Sequence, residues 1–215
     1  PFWQAAAGRR FVLGRPLAAA RPVFLLRAGI LPPPPGKEAT WTALWSAPAP
    51  ERVDVPLHNV VGLLPGSRER DRYVVVSAHY DHLGIGDPVD GDAIWNGADD
   101  NASGAAGLVL IAAALARLPA PARSVLFVGF SGEECGQLGS RAFLELPPVP
   151  REHLVVGLNL EMIGRPEDCG PNKAWLTGAG MSDLAGMLAA PLARRGIELV
   201  DHRMAGPLFL VSDNA

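Results

Sequence analysis

A chain of 215 residues with 48% hydrophobic and only 19% charged side chains has the composition of a folded protein and not of a disordered one. Twenty-two acidic against nineteen basic residues, without long runs of either sign, leave no electrostatic footprint for nucleic acid or an anionic membrane surface. The longest nearly uninterrupted apolar run, Ala105 to Ala116, falls short of the ~20 residues that span a bilayer and reads as a buried helix, so no membrane-spanning segment is expected.

Residues 1–56 hold arginine-flanked apolar stretches and the run Pro32 to Pro35, and are expected to form an N-terminal extension or the remnant of a preceding module. The four prolines favour an extended strap or linker. The start at Pro1, with no methionine and no signal segment, leads us to expect that the first residue here is not the translated one. From His58 onward apolar strand candidates alternate with helices, the pattern of a helix-covered, largely parallel sheet. Asn59 to Leu64 and Tyr73 to Ala78 are the first two strands, separated by the turn residues Pro65-Gly66-Ser67. A helix over Ser103 to Leu118 is closed by Pro119, and Ser124 to Phe130 is a continuous apolar run suited to burial on both faces. A second helix, from about Cys135 to Leu146, stops at Pro147-Pro148. Val155 to Leu160 and Ala174 to Thr177 read as strands, Ser182 to Arg195 as a helix and Glu198 to Val200 as a last strand. The expected fold class is α/β, a three-layer sandwich whose mixed, mainly parallel sheet is covered by helices.

Several acidic and imidazole side chains fall at the C-terminal ends of these strands or just beyond, where open α/β sheets bind ligands. His79 and Asp81 flank one residue at a strand end, so in extended backbone both point to one side. Asp81 is placed to take the second ring nitrogen of a metal-bound imidazole. Asp99 and Asp100 precede a helix, as do Glu133 and Glu134, and either pair alone is an ordinary capping arrangement. Glu161 ends an apolar strand, where a carboxylate needs a charged partner to stay ionised. Taken together, one histidine and three strand-end carboxylates make an N/O donor set of the kind zinc accepts.

Other signals are weaker. Gly129-Phe130-Ser131-Gly132-Glu133 lacks the second glycine of a serine-hydrolase elbow, and Gly84-Ile85-Gly86 lacks the third glycine of a dinucleotide loop. Asp87, Asp90 and Asp92 do not have EF-hand spacing and read as a solvated acidic loop. His58, His153 and His202 are expected at the surface or at strand ends, and Cys135 and Cys169 can either pair or stay free.

In the order Ser77-Ala78-His79-Tyr80-Asp81-His82-Leu83-Gly84, Asn96 to Gly104, Gly132-Glu133-Glu134 with Gly139-Ser140, and Asn159-Leu160-Glu161-Met162-Ile163-Gly164-Arg165, the chain resembles the zinc-dependent exopeptidases. That family includes bacterial leucyl aminopeptidases, glutamate carboxypeptidase, the glutaminyl cyclases and the transferrin receptor. The resemblance implies a catalytic domain over 57–215 that holds two Zn2+ ions: His79 and Glu161 on one, Glu134 on the other, Asp100 bridging. It further implies a cis peptide between Asp100 and Asn101, Asp81 orienting His79, and Glu133 as general base toward a metal-activated water. The implied function is aminopeptidase action on peptides with a free N-terminus, in a secreted or periplasmic setting; the alternative is a non-catalytic or weakly active scaffold. Three departures stand out. Glu161 replaces the family's usual aspartate, the chain stops at Ala215 as though C-terminally incomplete, and Asn214 follows Ser212-Asp213 where many members have a histidine. An amide oxygen is a poor zinc ligand, which puts the second zinc in doubt.

Overall fold

Residues 54–166 and 169–214 are described by a computed structural model; the expected N-terminal extension, apart from its last three residues, and the Pro32–Pro35 strap lie outside them. Four strands make the main sheet: β1 (Val60–Leu64), β2 (Glu69–His79), β5 (Arg123–Phe130) and β6 (Leu154–Asn159). Their order is β1-β5-β2-β6, with β2 parallel to both neighbours and β1 antiparallel to β5, so the sheet is mixed and mainly parallel as expected. The first helix, α1 (Gly104–Leu115), links β2 to β5 by way of a hairpin; α2 (Leu138–Glu145) links β5 to β6.

Period-two alternation sends the sheet's side chains into two cores. Val76, Ala78, Val125 and Phe127 meet Leu108 of α1, with Val74, Ala112, Leu115 and Leu160 around them. Val75, Leu126, Val128 and Phe130 face the other way onto Phe143 of α2, whose ring meets Phe130 edge-to-face at 5.7 Å. Burial on both faces is why β5 is apolar without interruption. Helices on both faces of the sheet make the α/β layering that the strand-helix alternation predicts. The expectation of a fully buried first helix does not hold. Leu108 is enclosed, but Val109 and Leu110 are exposed, because α1 rests on the sheet along one side and no described residue covers the other. No helix among the described residues is long and apolar enough to cross a membrane.

The acidic stretch expected as a loop is a hairpin, β3 (Gly84–Val89) with β4 (Asp92–Trp95). Its turn is Asp90-Gly91, both residues at positive φ, the backbone that matches the twist of paired strands. The strand expected at Ala174 to Thr177 is reduced to β7 (Lys173–Ala174), which pairs in parallel with β8 (Glu198–Leu199). Helices α3 (Leu184–Ala193) and α4 (Ala205–Phe209) follow, and short helical turns lie at Ala98–Ser103, Arg151–His153 and Ala179–Met181.

Candidate metal centre

Because β2, β5 and β6 run in parallel, their C-terminal ends come out at one edge. His79 stands opposite Phe130, and Ser77 opposite Asn159. The three segments just past those ends carry Asp81-His82, Ser131 to Glu134 and Leu160-Glu161. Asn59 anchors the middle one, accepting from Ser131 N at 3.2 Å and donating to Gly139 O at 2.8 Å. Gly132, at φ 77, makes a turn that an L side chain rarely adopts.

His79 is fully buried, and its Nδ1 lies 3.1 Å from the main-chain carbonyl of Asp81. A carbonyl only accepts, so Nδ1 carries a hydrogen. Nε2 faces Asp100 Oδ1 at 3.2 Å, and both atoms are buried without a hydrogen bond of good geometry. A buried imidazole nitrogen against a carboxylate oxygen calls for positive charge between or beside them, either a second ring proton or a metal ion. Burial alone would lower the imidazole's pKa, but Asp100, Asp81, Glu133 and Glu161 together raise it to about 11, which shows how strongly these carboxylates favour a cation at the ring. The donor set, one imidazole among carboxylates, fits zinc.

The role expected of Asp81 is met differently. Its carboxylate sits 3.7 Å from His79 Nδ1, while its own backbone carbonyl takes the ring's hydrogen. The carboxylate oxygens instead accept from the backbone amides of Glu133 (3.2 Å) and Glu134 (3.3 Å), tying the end of β2 to the segment after β5. Burial opposes its charge, yet His79 and the two amides hold its pKa below the usual range.

Asp99 and Asp100 do not cap α1. Asp99 accepts from Gly164 N at 2.9 Å and pairs with Arg165 Nε at 3.0 Å, holding the loop past Glu161. Asn101 makes the tighter tie: buried to 2% exposure, it donates to Leu160 O (3.0 Å) and accepts from Gly104 N (3.1 Å) and Met162 N (3.2 Å). It thereby binds the Asp100 turn to both residues that flank Glu161. The peptide between Asp100 and Asn101 is cis, as the resemblance implies. Glu161 Oε2 accepts from Asn159 Nδ2 at 3.0 Å and from the Ser212 hydroxyl, and Asn159 is itself held by Ser77.

Glu133 Oε2 lies 4.0 Å from His79 Nε2. Burial, with the charges of Glu161, Asp213 and Glu134 added and His79 opposing, pushes its pKa up to about 8. Burial and the Asp100 charge likewise raise Glu134, and burial lifts Asp213 to about 6. So many carboxyls competing for protons at one edge is the electrostatic signature of a cation site.

One residue goes beyond the expected ligands. His82 Nδ1 sits 2.7 Å from Glu134 Oε1, and His82, Asp100 and Glu134 offer ligand atoms that all lie within 4.8 Å of one another. Its signal in the sequence is the spacing His79-x-Asp81-His82, where a second imidazole follows the first by three residues. Asn214 donates its Nδ2 hydrogen to Thr177 Oγ1 at 2.6 Å, its buried Oδ1 has no hydrogen-bond partner, and His202 stacks on Trp175 at 4.5 Å. Cys135 and Cys169 are free thiols.

The chain is similar to known zinc peptidases in sequence and in fold. The sequence pattern of peptidase family M28 matches residues 59–195. A probable zinc metalloprotease of Pyrenophora teres f. teres is 34% identical over 119 residues, which are 53% of this chain and 24% of that protein. Aminopeptidase NAALADL1 of Mus musculus is 31% identical over 159 residues, 67% of this chain and 16% of that one. The crystal structure of BSAP, a zinc aminopeptidase from Bacillus subtilis, superposes with a TM-score of 0.53 at 23% identity, covering 72% of this chain and 36% of its own; at that identity it shows the fold. The chain spans about a quarter of the length of the first two fungal relatives it matches.

Proposed function

We propose, from the premise that this chain belongs to peptidase family M28, that it is the catalytic part of a co-catalytic zinc aminopeptidase acting on peptides with a free N-terminus. Residues 57–215 are the catalytic domain in this reading. The observation that carries it is the buried, unpartnered pair His79 Nε2 and Asp100 Oδ1, 3.2 Å apart at the strand ends. His79 and Glu161 would hold one zinc, Glu134 the other, with Asp100 between them. When bound, zinc acidifies a water and polarises the scissile carbonyl. Glu133 would accept a proton at its carboxylate and return it to the leaving amine; burial pushes its pKa up to about 8, and bound zinc would lower it toward neutral pH. Asp81 fixes the backbone of Glu133 and Glu134, and Asn159 and Ser212 orient Glu161. The names of BSAP and of NAALADL1 support the aminopeptidase side of the reading.

Zinc content and leucine-amide hydrolysis measured on the same samples test it. Glu133→Gln is expected to lose hydrolysis by about 100-fold or more while keeping its zinc. Retained hydrolysis, or zinc lost together with activity, would move Glu133 out of the base role. The scaffold alternative has one observation in its favour, an amide at Asn214, with its Nδ2 bound to Thr177, where many family members have a histidine. Tight zinc binding without any amide hydrolysis by the unmutated protein would establish it.

A further inference from the structure

We propose that His82 is the imidazole ligand of the metal on the Glu134 side of Asp100. This deepens the two-metal reading above and rests on it, but assigns a residue to which the family resemblance gives no role.

Three observations carry the assignment. The first is placement: His82, Asp100 and Glu134 present one ligand atom each within 4.8 Å of one another, a span that small side-chain rotations close onto zinc distances of about 2.0 to 2.2 Å. The second is a seat built for the ring. Gly97, at φ 62, has the imidazole packed against it so closely that a Cβ there would lie 2.6 Å from His82 Cγ and 2.8 Å from its Cβ. The ring is therefore lodged against the same turn that carries Asp100, with its side chain 21% and that of Glu134 9% exposed.

The third is elimination among the five histidines of the chain. His79 faces the other side of the site through Nε2. His153 lies in the turn that leads into β6, at the opposite end of that strand from Asn159. The main-chain carbonyl of His58 takes the Tyr80 hydroxyl beside β1, and His202 is stacked on Trp175. Asn214, in the position where many family members have a histidine, is bound to Thr177.

His82 Nδ1 and Glu134 Oε1, 2.7 Å apart, already bring the two ligand atoms to one point. Imidazole at that point would join Glu134 and the shared Asp100 as the protein ligands of the ion. That is an ordinary zinc donor set, whereas Glu134 and a bridging Asp100 alone would leave the ion mostly to water.

The test uses the full chain, stripped with a chelator and titrated with Zn2+ or Co2+, with folding followed by circular dichroism. The wild type is expected to bind two ions. His82→Gln, which keeps a hydrogen-bond donor but no imidazole, is expected to keep the first ion at wild-type affinity and bind the second at least about 100-fold more weakly. His82→Cys restores a zinc ligand; it is expected to regain the second ion and, with Co2+, to show a thiolate-to-metal charge-transfer band beyond any in the wild type that grows only with the second equivalent. Two ions bound by His82→Gln at wild-type affinity would overturn the assignment, as would two ions bound by His82→Cys without that band. A wild type that binds one ion, lost in His79→Gln and kept in His82→Gln, would sink the two-metal reading and this assignment together. One ion lost in His82→Gln and kept in His79→Gln would sink the two-metal reading alone.

Discussion

Replacing Asn101 with alanine should cost the fold about 3 kcal/mol, although the residue lies in a turn and belongs to neither apolar core. The side chain is 2% exposed and makes three hydrogen bonds, to Leu160 O, Gly104 N and Met162 N. Truncation leaves one buried group, Gly104 N, and two part-buried groups, Leu160 O and Met162 N, unpaired, at about 1 to 3 kcal/mol for a fully buried one. Water entering the space vacated by the amide re-solvates some of them, which places the sum near the lower end of the range. With a urea slope of about 2 kcal/mol per molar, the unfolding midpoint falls by about 1 to 2 M. The control is Asn96→Ala, whose amide makes a bond of similar length to Ile94 O but in solvent, and which should change stability by less than about 0.5 kcal/mol. Urea unfolding of both variants in chelator isolates this effect from metal binding. A loss below about 1 kcal/mol in Asn101→Ala, or an equal loss in Asn96→Ala, would show that the three bonds do not hold the Asp100 turn to the Glu161 segment.

Two further outcomes follow from packing. Gly104→Ala sets helix propensity, worth about 1 kcal/mol in favour of alanine, against a Cβ that would sit 2.2 Å from Leu160 O and 2.4 Å from Asn101 Oδ1; the clash with backbone wins, and thermal unfolding should show a lower midpoint. A raised midpoint would refute the close approach of α1 to the Glu161 segment. Leu126→Ala, in the core against α2 and 2% exposed, should cost about 2 to 5 kcal/mol, while Leu110→Ala on the open side of α1, 69% exposed, should stay within about 0.5 kcal/mol; similar losses at the two sites in denaturant unfolding would contradict the layering.

Much of this was legible in the chain because strand and helix periods are local properties. The apolar run Ser124 to Phe130 and the alternation in Tyr73 to Ala78 predict β5 and the core of β2, and the polar residues closing them predict the functional edge. The hairpin was missed although Asp90-Gly91 is a strong turn signal, since the flanking residues were weighed as acidic ligands and not as strands. What local pattern cannot supply is the partner of each polar atom. Asp81 was expected to face His79 with its carboxylate, and it does so with its carbonyl while the carboxylate binds two amides 52 and 53 residues away. His82, although part of the motif from Ser77 to Gly84, was given no role for the same reason: its meaning depends on Glu134, 52 residues on, and its short spacing from His79 does not link it to that residue. Asp99 looked like a helix cap and instead holds Arg165 and Gly164 across the site.

The parallel pairing of β2 with β6 joins Ser77 to Asn159 across 82 residues of chain, and the pairing with β5 spans some 50. Such connections are slow to form, because the entropy of closing each long loop is lost before the contact returns anything. Glu161 can reach Asp100 and His79 only after β2 has paired with β6, whereas His82, Asp100 and Glu134 need only β2 and β5. An ion held through Glu161 would therefore be bound after the slower closure, and its binding energy would be expressed in the unfolding limb, as a longer lifetime of the assembled sheet, while the rate of first folding stays what the topology sets.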